Sequence, residues 1–183
     1  MKKKIGIGIL ALVLLLGAGF MYLNHRNRTL SPMGEASFSK AGVDVSVAYS
    51  RPSVKGRVVF GPTEEALQPY GVYWRLGANE STEITFNKPV TIQGNKLNAG
   101  THKVYCYPGE KEFVFAFAPA NGAWGYSEPD QEDEYFRVTV PVTMQSEATE
   151  QFTITLEDGE GQAIDLHCDF NKHRLSLAFL PTS

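Results

Sequence analysis

No acidic residue stands before position 31, and residues 5–23 carry no charge of either sign. An uncharged run of that length has no polar face for water, which excludes a solvent-exposed amphipathic helix there. Cysteine is scarce, two in 183 residues, so neither a disulfide framework nor a cysteine-rich zinc site can be built. The four histidines, His25, His102, His167 and His173, fall in no His-x-His or His-Glu-x-x-His spacing, so metal ligation has no signature in the chain. No Gly-x-Ser-x-Gly elbow and no phosphate-cradling glycine-rich loop occurs, which removes the usual hydrolase and nucleotide signatures. No cofactor is expected. The acidic stretch Glu128, Asp130, Glu132, Asp133, Glu134 lacks the alternating ligands and central glycine of a calcium loop and is expected as a solvated loop.

What is present begins with Lys2, Lys3 and Lys4 ahead of the uncharged run. A bilayer-spanning helix needs about 20 apolar residues, whereas a secretory signal has a shorter apolar core of roughly 7–15 followed by a small-residue cleavage site. Gly17-Ala18-Gly19 is the only small-residue stretch, and Phe20-Met21-Tyr22-Leu23 continues beyond it. An uncleaved anchor over residues 5–23 is therefore expected rather than a cleaved signal. Residues 1–4 would form a cytoplasmic basic stub, residues 24–39 a tether, and residues 40–183 the exported domain. The lysines outweigh Arg26 and Arg28, so the N-terminus stays cytoplasmic by the positive-inside rule. The expected location is the inner membrane, single pass, with the lipid bilayer as partner through residues 5–23. Beyond residue 30 there are 12 basic and 20 acidic residues, a formal charge of −8. That balance argues against nucleic acid as a partner.

Hydrophobic residues make up 43% of the chain, enough for a core. From Val43 onward the pattern has period two, broken by turn residues. Val43, Val45, Val47 and Tyr49 alternate with Asp44, Ser46 and Ala48. Further strands are expected at residues 57–60, 72–76, 83–86, 90–92, 102–107, 113–117, 135–140, 151–156, 164–170 and 174–180. Gly94-Asn95, Asn98-Ala99-Gly100, Asp158-Gly159 and Asn171-Lys172 supply turn chemistry, the last of these between the final two strands. Thr63 to Gln68 is expected to form a helical turn. The fold class is all-β, an antiparallel β-sandwich or jelly-roll-like single domain behind an N-terminal transmembrane helix. Cys106 and Cys168 lie in phase with apolar neighbours. Either a disulfide or two buried thiols fits them.

One polar-aromatic cluster stands out. Arg51, Lys55 and Arg57 fall in one segment; Tyr70, Trp74, Arg75, Asn79, Glu80 and Thr82 fall in another. Period two puts Val72, Trp74 and Leu76 inward and Tyr73 and Arg75 outward. A carboxylate near a core must be paired, so Glu80 is expected to meet one of Arg51, Lys55, Arg57 or Arg75. One outcome is an ion-pair network that locks the two segments together. The other is a pocket where Arg75 and Asn79 grip an anionic or hydroxyl-rich ligand beside Tyr70 or Trp74.

The strings YSRPSVKGR, PYGVYWRLGANESTEITF, NAGTHKVYCYPGEKEFVFAF, WGY and FRVTV occur in that order. With them the chain resembles the exported bacterial family known as domain of unknown function 2911, over roughly residues 31–180. The resemblance implies an all-β exported domain with Arg-Pro-Ser-x-Lys-Gly-Arg and Trp-Arg-x-Gly-Ala-Asn-Glu as its signature. It implies no activity, substrate or catalytic residue. The chain departs from the family pattern at Glu134, where an Asp is usual, and near Phe170, where a Trp is usual. Three functions remain open on these residues: a binding or interaction module for a glycan, peptide or envelope protein; an envelope hydrolase using Glu80 with Arg75 and Asn79; and a purely structural envelope protein.

Overall fold

Ser31 precedes Pro32, and a residue before proline is pushed out of the helical region. Helix α1 (Lys2–Leu30) accordingly stops at Leu30. The computed structural model describes residues 2–120, 122 and 124–182, with side chains from residue 6 onward; Met1 and the side chains of the basic stub Lys2, Lys3 and Lys4 lie outside the described residues. Residues 6–30 are long and apolar enough to cross a membrane, and no residue of the most apolar 18-residue window is buried by protein. Residues 24–39, expected as a tether, are instead helix as far as Leu30 and strand from Met33. Ala36 and Phe38 pack against the core from that strand. The one-in-two apolar pattern there is weak, which hid the strand in the sequence.

Among the described residues, twelve strands follow the helix. They are β1 (Met33–Lys40), β2 (Val43–Ser50), β3 (Phe60–Gly61), β4 (Gln68–Pro69), β5 (Thr82–Phe86), β6 (Val90–Ile92), β7 (Asn95–Leu97), β8 (Gly100–Tyr107), β9 (Glu112–Pro119), β10 (Phe136–Pro141), β11 (Thr143–Asp158) and β12 (Ile164–Pro181). One antiparallel sheet has the order β1-β2-β5-β8-β9-β10, and a second has the order β11-β12-β6-β7. Their inner faces meet through aromatic edges. Phe86 of β5 lies 5.1 Å from Phe179 of β12, and Tyr49 of β2 lies 5.6 Å from Phe152 of β11. The Tyr49 hydroxyl also accepts from Ile154 N at 2.9 Å, which pins one sheet to the other. The alternation read in β2 holds: Val43, Val45, Val47 and Tyr49 are all buried. Each such side chain stabilises the fold by roughly 1.5–3 kcal/mol. The expected all-β sandwich behind an apolar helix is the architecture observed.

Two expectations fail. No hairpin forms at Asn171-Lys172; β12 runs through it as one 18-residue strand. Asn171 takes a left-handed φ of 55°, and the register against β11 is irregular over the same stretch. The buried set changes parity there, from Ile164, Leu166, Cys168 and Phe170 to Leu175, Leu177 and Phe179. Because side chains alternate with period two, such an interruption is what keeps both halves facing the core. The strands expected at residues 57–60 and 72–76 are also absent. Residues 52–81 form bends and turns with only the short parallel pair β3–β4. Within the expected strand 72–76, Trp74 is bridged to Cys106 of β8. Val72 is 50% exposed rather than inward. Left-handed Leu76 and Asn79 and the glycines Gly71 and Gly77 break the alternation in that stretch. At residues 63–68 there is a single turn, closed by Ala66 N to Thr63 O at 3.1 Å.

Candidate functional site

The irregular segment 52–81 leaves the sandwich at one end and returns, and its loops enclose a cleft of about 440 Å³. Trp74 forms the floor. It is 2% exposed, donates its indole N–H to Gly77 O at 3.1 Å, and stacks 6.2 Å from Phe170. Gly77 is required at its place: φ is 149°, and a Cβ would lie 2.7 Å from Ser50 O. Thr82 is buried and donates to Leu76 O at 2.6 Å, closing the loop between them.

Three cations border the cleft: Lys55, Arg57 and Arg75. Arg57 donates to Val54 O at 3.0 Å and to Ser53 O at 2.5 Å. Arg75 donates to Asn79 O at 3.1 Å and lies 5.8 Å from the centre of the Tyr126 ring. Burial lowers the Arg75 guanidinium below its usual range, while Tyr73 and Tyr126 oppose that shift. Among the described residues, neither Asp nor Glu borders the cleft, and none of these three cations forms a salt bridge. Three positive charges in one recess, with most of their donors unused, favour an anion.

The last turn of α1 closes the cleft through Asn27 and Leu30, together with Ser31 just beyond it. The Asn79 amide donates to Asn27 O at 3.3 Å and Ser31 O at 3.2 Å. Glu80 turns away from the cleft, pairing with Arg28 at 2.6 Å and accepting from Ser50 at 3.4 Å. The expected Glu80 partner among Arg51, Lys55, Arg57 and Arg75 is therefore replaced by Arg28, 52 residues away in sequence. Trp124, 43% exposed, supplies the remaining wall. Its segment is stitched to the site by the Glu80–Trp124 bridge and by Gly125 N to Asn79 O at 3.0 Å. A Cβ on Gly125 would meet Arg75 Cδ and Glu80 O at 3.0 Å.

Of the sequence candidates, Lys55, Arg57, Trp74, Arg75 and Asn79 are brought together. Arg51 is elsewhere, donating to Phe152 O at 3.2 Å and Thr153 Oγ1 at 2.9 Å, where it joins the sheets. Tyr70 packs against the core, and Thr82 serves the loop. Cys106 and Cys168 are two buried free thiols, raised above the usual thiol range by burial. Trp124 and the helix residues were missed. The WGY string carried the only signal for the first.

A second polar-aromatic group lies on the outer face of the six-stranded sheet. Tyr73, Tyr105 and Tyr107 form a row under residues 124–137. Tyr73 donates to Gly125 O at 2.9 Å, Tyr105 to Glu134 at 2.5 Å and Tyr107 to Glu128 at 2.5 Å. Arg137 forks onto Glu134 at 2.6 and 2.7 Å and covers the Tyr107 ring at 4.7 Å. Buried Lys103 sits 5.6 Å from Tyr73 and 5.7 Å from Tyr105 and donates to Ser127 O at 3.1 Å. Burial pushes Tyr73 up to about 12, with Arg75 opposing. Tyr105 is raised by burial and by its bond to Glu134. Arg137 holds the Glu134 carboxyl below the usual carboxylate range. Arg137 is paired with Glu134 and each tyrosine hydroxyl has an acceptor on the covering segment, which makes the group a fastening for the segment that carries Trp124.

A family model described as protein of unknown function (DUF2911) matches residues 31–179. The chain belongs to this family. The matched region begins one residue after α1 ends and takes in both sheets, the cleft floor and its three cations. The helix turn that closes the cleft lies outside it. Comparison with curated proteins and with solved structures gives no match. Within this DUF2911 domain, the signature strings map onto the cleft: Arg-Pro-Ser-x-Lys-Gly-Arg gives Lys55 and Arg57, and Trp-Arg-x-Gly-Ala-Asn-Glu gives the floor, Arg75 and Asn79.

Proposed function

We propose that the protein is a membrane-anchored, extracytoplasmic binding module that holds an anionic ligand in the cleft between Lys55, Arg57, Arg75 and Asn79. One observation carries this reading: three cations face a recess without a carboxylate, in a domain whose formal charge is −8. On the outer face, by contrast, Arg137 is paired with Glu134. Retention of the helix is supported by the contacts of Asn79 with Asn27 and Ser31, since cleavage would strip one wall from the cleft. The basic N-terminus supports an extracytoplasmic position for the domain by the positive-inside rule. A hydrolase built on Glu80 is less well supported, because that carboxylate turns away from the cleft to Arg28 and, among the described residues, no carboxylate borders the cleft.

Both tryptophans of the chain, Trp74 and Trp124, line the cleft, so intrinsic fluorescence reports on it directly. Full-length protein in a non-ionic detergent is titrated with phosphate, dicarboxylate and uronate compounds. At least one class is expected to give a saturable change, weakened about tenfold or more by Lys55→Ala with Arg57→Ala. A flat response to every anion, or equal binding by the double variant, would remove the proposal.

A further inference from the structure

We infer that the anion is the phosphate group of a lipid headgroup in the membrane that α1 crosses, an inference that rests on the anion-binding reading above. The position of the cleft along the helix is the first reason. The uncharged run ends at Leu23, and Asn27, Leu30 and Ser31 border the cleft. At 1.5 Å per residue, Leu30 lies only ~10 Å beyond the apolar run. The headgroup layer on each side of a ~30 Å hydrocarbon core is of that order of depth. The domain is fixed at this level by the Arg28–Glu80 pair at 2.6 Å and the two Asn79 amide bonds.

The second reason is independent of the helix. Trp124 and Tyr126 are 43% and 76% exposed, and they sit on the segment that Gly125 N ties to Asn79 O. Amphipathic aromatic rings of this kind settle at the headgroup level of a bilayer. They occupy the same end of the domain as the helix exit, so both features bring the cleft to the membrane surface. The chemistry of the recess suits a phosphate. Arg57 and Arg75 keep most of their five planar donors, and Lys55 adds a point charge. Leu30 and Trp124 supply an apolar rim beside these cations, where the glycerol and first acyl carbons of a lipid would lie. The volume of about 440 Å³ admits a headgroup.

The test uses full-length protein in dodecyl maltoside micelles, which carry no phosphate. Tryptophan fluorescence is followed during titration with phosphatidylglycerol, with diacylglycerol of the same chains, and with soluble glycerol phosphate. Phosphatidylglycerol is expected to give a saturable change that diacylglycerol does not. Arg57→Ala should weaken it at least tenfold. Lys55→Ala, which removes a side chain that makes no hydrogen bond or ion pair among the described residues, should weaken it severalfold without touching the fold. A response to glycerol phosphate with none to the lipid would overturn the lipid source while leaving the anion cleft intact. Equal responses to diacylglycerol and phosphatidylglycerol would overturn the phosphate. Silence in all three arms, and toward the broader anion panel, would bring down both readings.

Discussion

Two sets of cationic side chains on this domain end differently: one includes an arginine forked onto a carboxylate, and the other has no carboxylate partner among the described residues. On the outer face, Arg137 is forked onto Glu134, and Lys103 sits between tyrosine rings with a carbonyl as acceptor. In the cleft, Lys55, Arg57 and Arg75 face open volume with backbone carbonyls as their only acceptors, or none. Charges that serve a fold end in partners. Charges that serve a ligand wait for one. The difference fits a structural role for the tyrosine row and the proposed binding role for the cleft.

The comparison breaks most visibly at Glu134, which is 7% exposed at its side chain. Glu134→Ala leaves Tyr105 and Arg137 without their acceptor and is expected to cost about 3 kcal/mol in chemical denaturation. Acid should reproduce part of that loss. The folded carboxyl titrates below its ordinary range, so the stabilisation is complete above the unfolded value of about 4.3. It disappears as pH falls through the folded value. Hydrogen exchange across residues 124–137 should therefore accelerate below pH ~4 before the strands open. The cleft should behave in the opposite manner. Lys55→Ala combined with Arg57→Ala should change stability by no more than about 1 kcal/mol, yet reduce anion affinity tenfold or more. If that pair instead unfolded the domain, the two clusters would be alike. The smallest effect is expected for Arg28→Ala, whose pair with Glu80 is largely exposed on the arginine side; thermal stability should move by less than about 1 kcal/mol.

How far this was legible in the sequence varies along the chain. The β2 alternation and the Gly94-Asn95 turn signal between β6 and β7 are local and were readable, although the left-handed residues prove to be Gln93 and Gly94, with φ values of 47° and 83°. The cleft cations were readable as a cluster because Lys55 and Arg57 lie in one short segment and Arg75 and Asn79 in another. Their partners were not. Arg28 and Glu80 are separated by 52 residues, and no period in the chain links Trp124 to Asn79. Segment 52–81 misled because Val72, Trp74 and Leu76 alternate in sequence while left-handed Leu76 and the flanking glycines prevent a strand. The same limitation hid the tyrosine row, whose members lie on β8 and the irregular segment and meet only through the sheet.

The parity change in β12 carries a consequence for chain length. In most connections of such a fold, one residue more or fewer is absorbed by a local turn. Removing a single residue between Asn171 and Arg174 would instead rotate everything downstream by half a pleat, sending Leu175, Leu177 and Phe179 toward water and their neighbours inward. The exact count of residues in that stretch is therefore as stringent a requirement as their identity, and a family member lacking one must compensate by rebuilding the end of the second sheet.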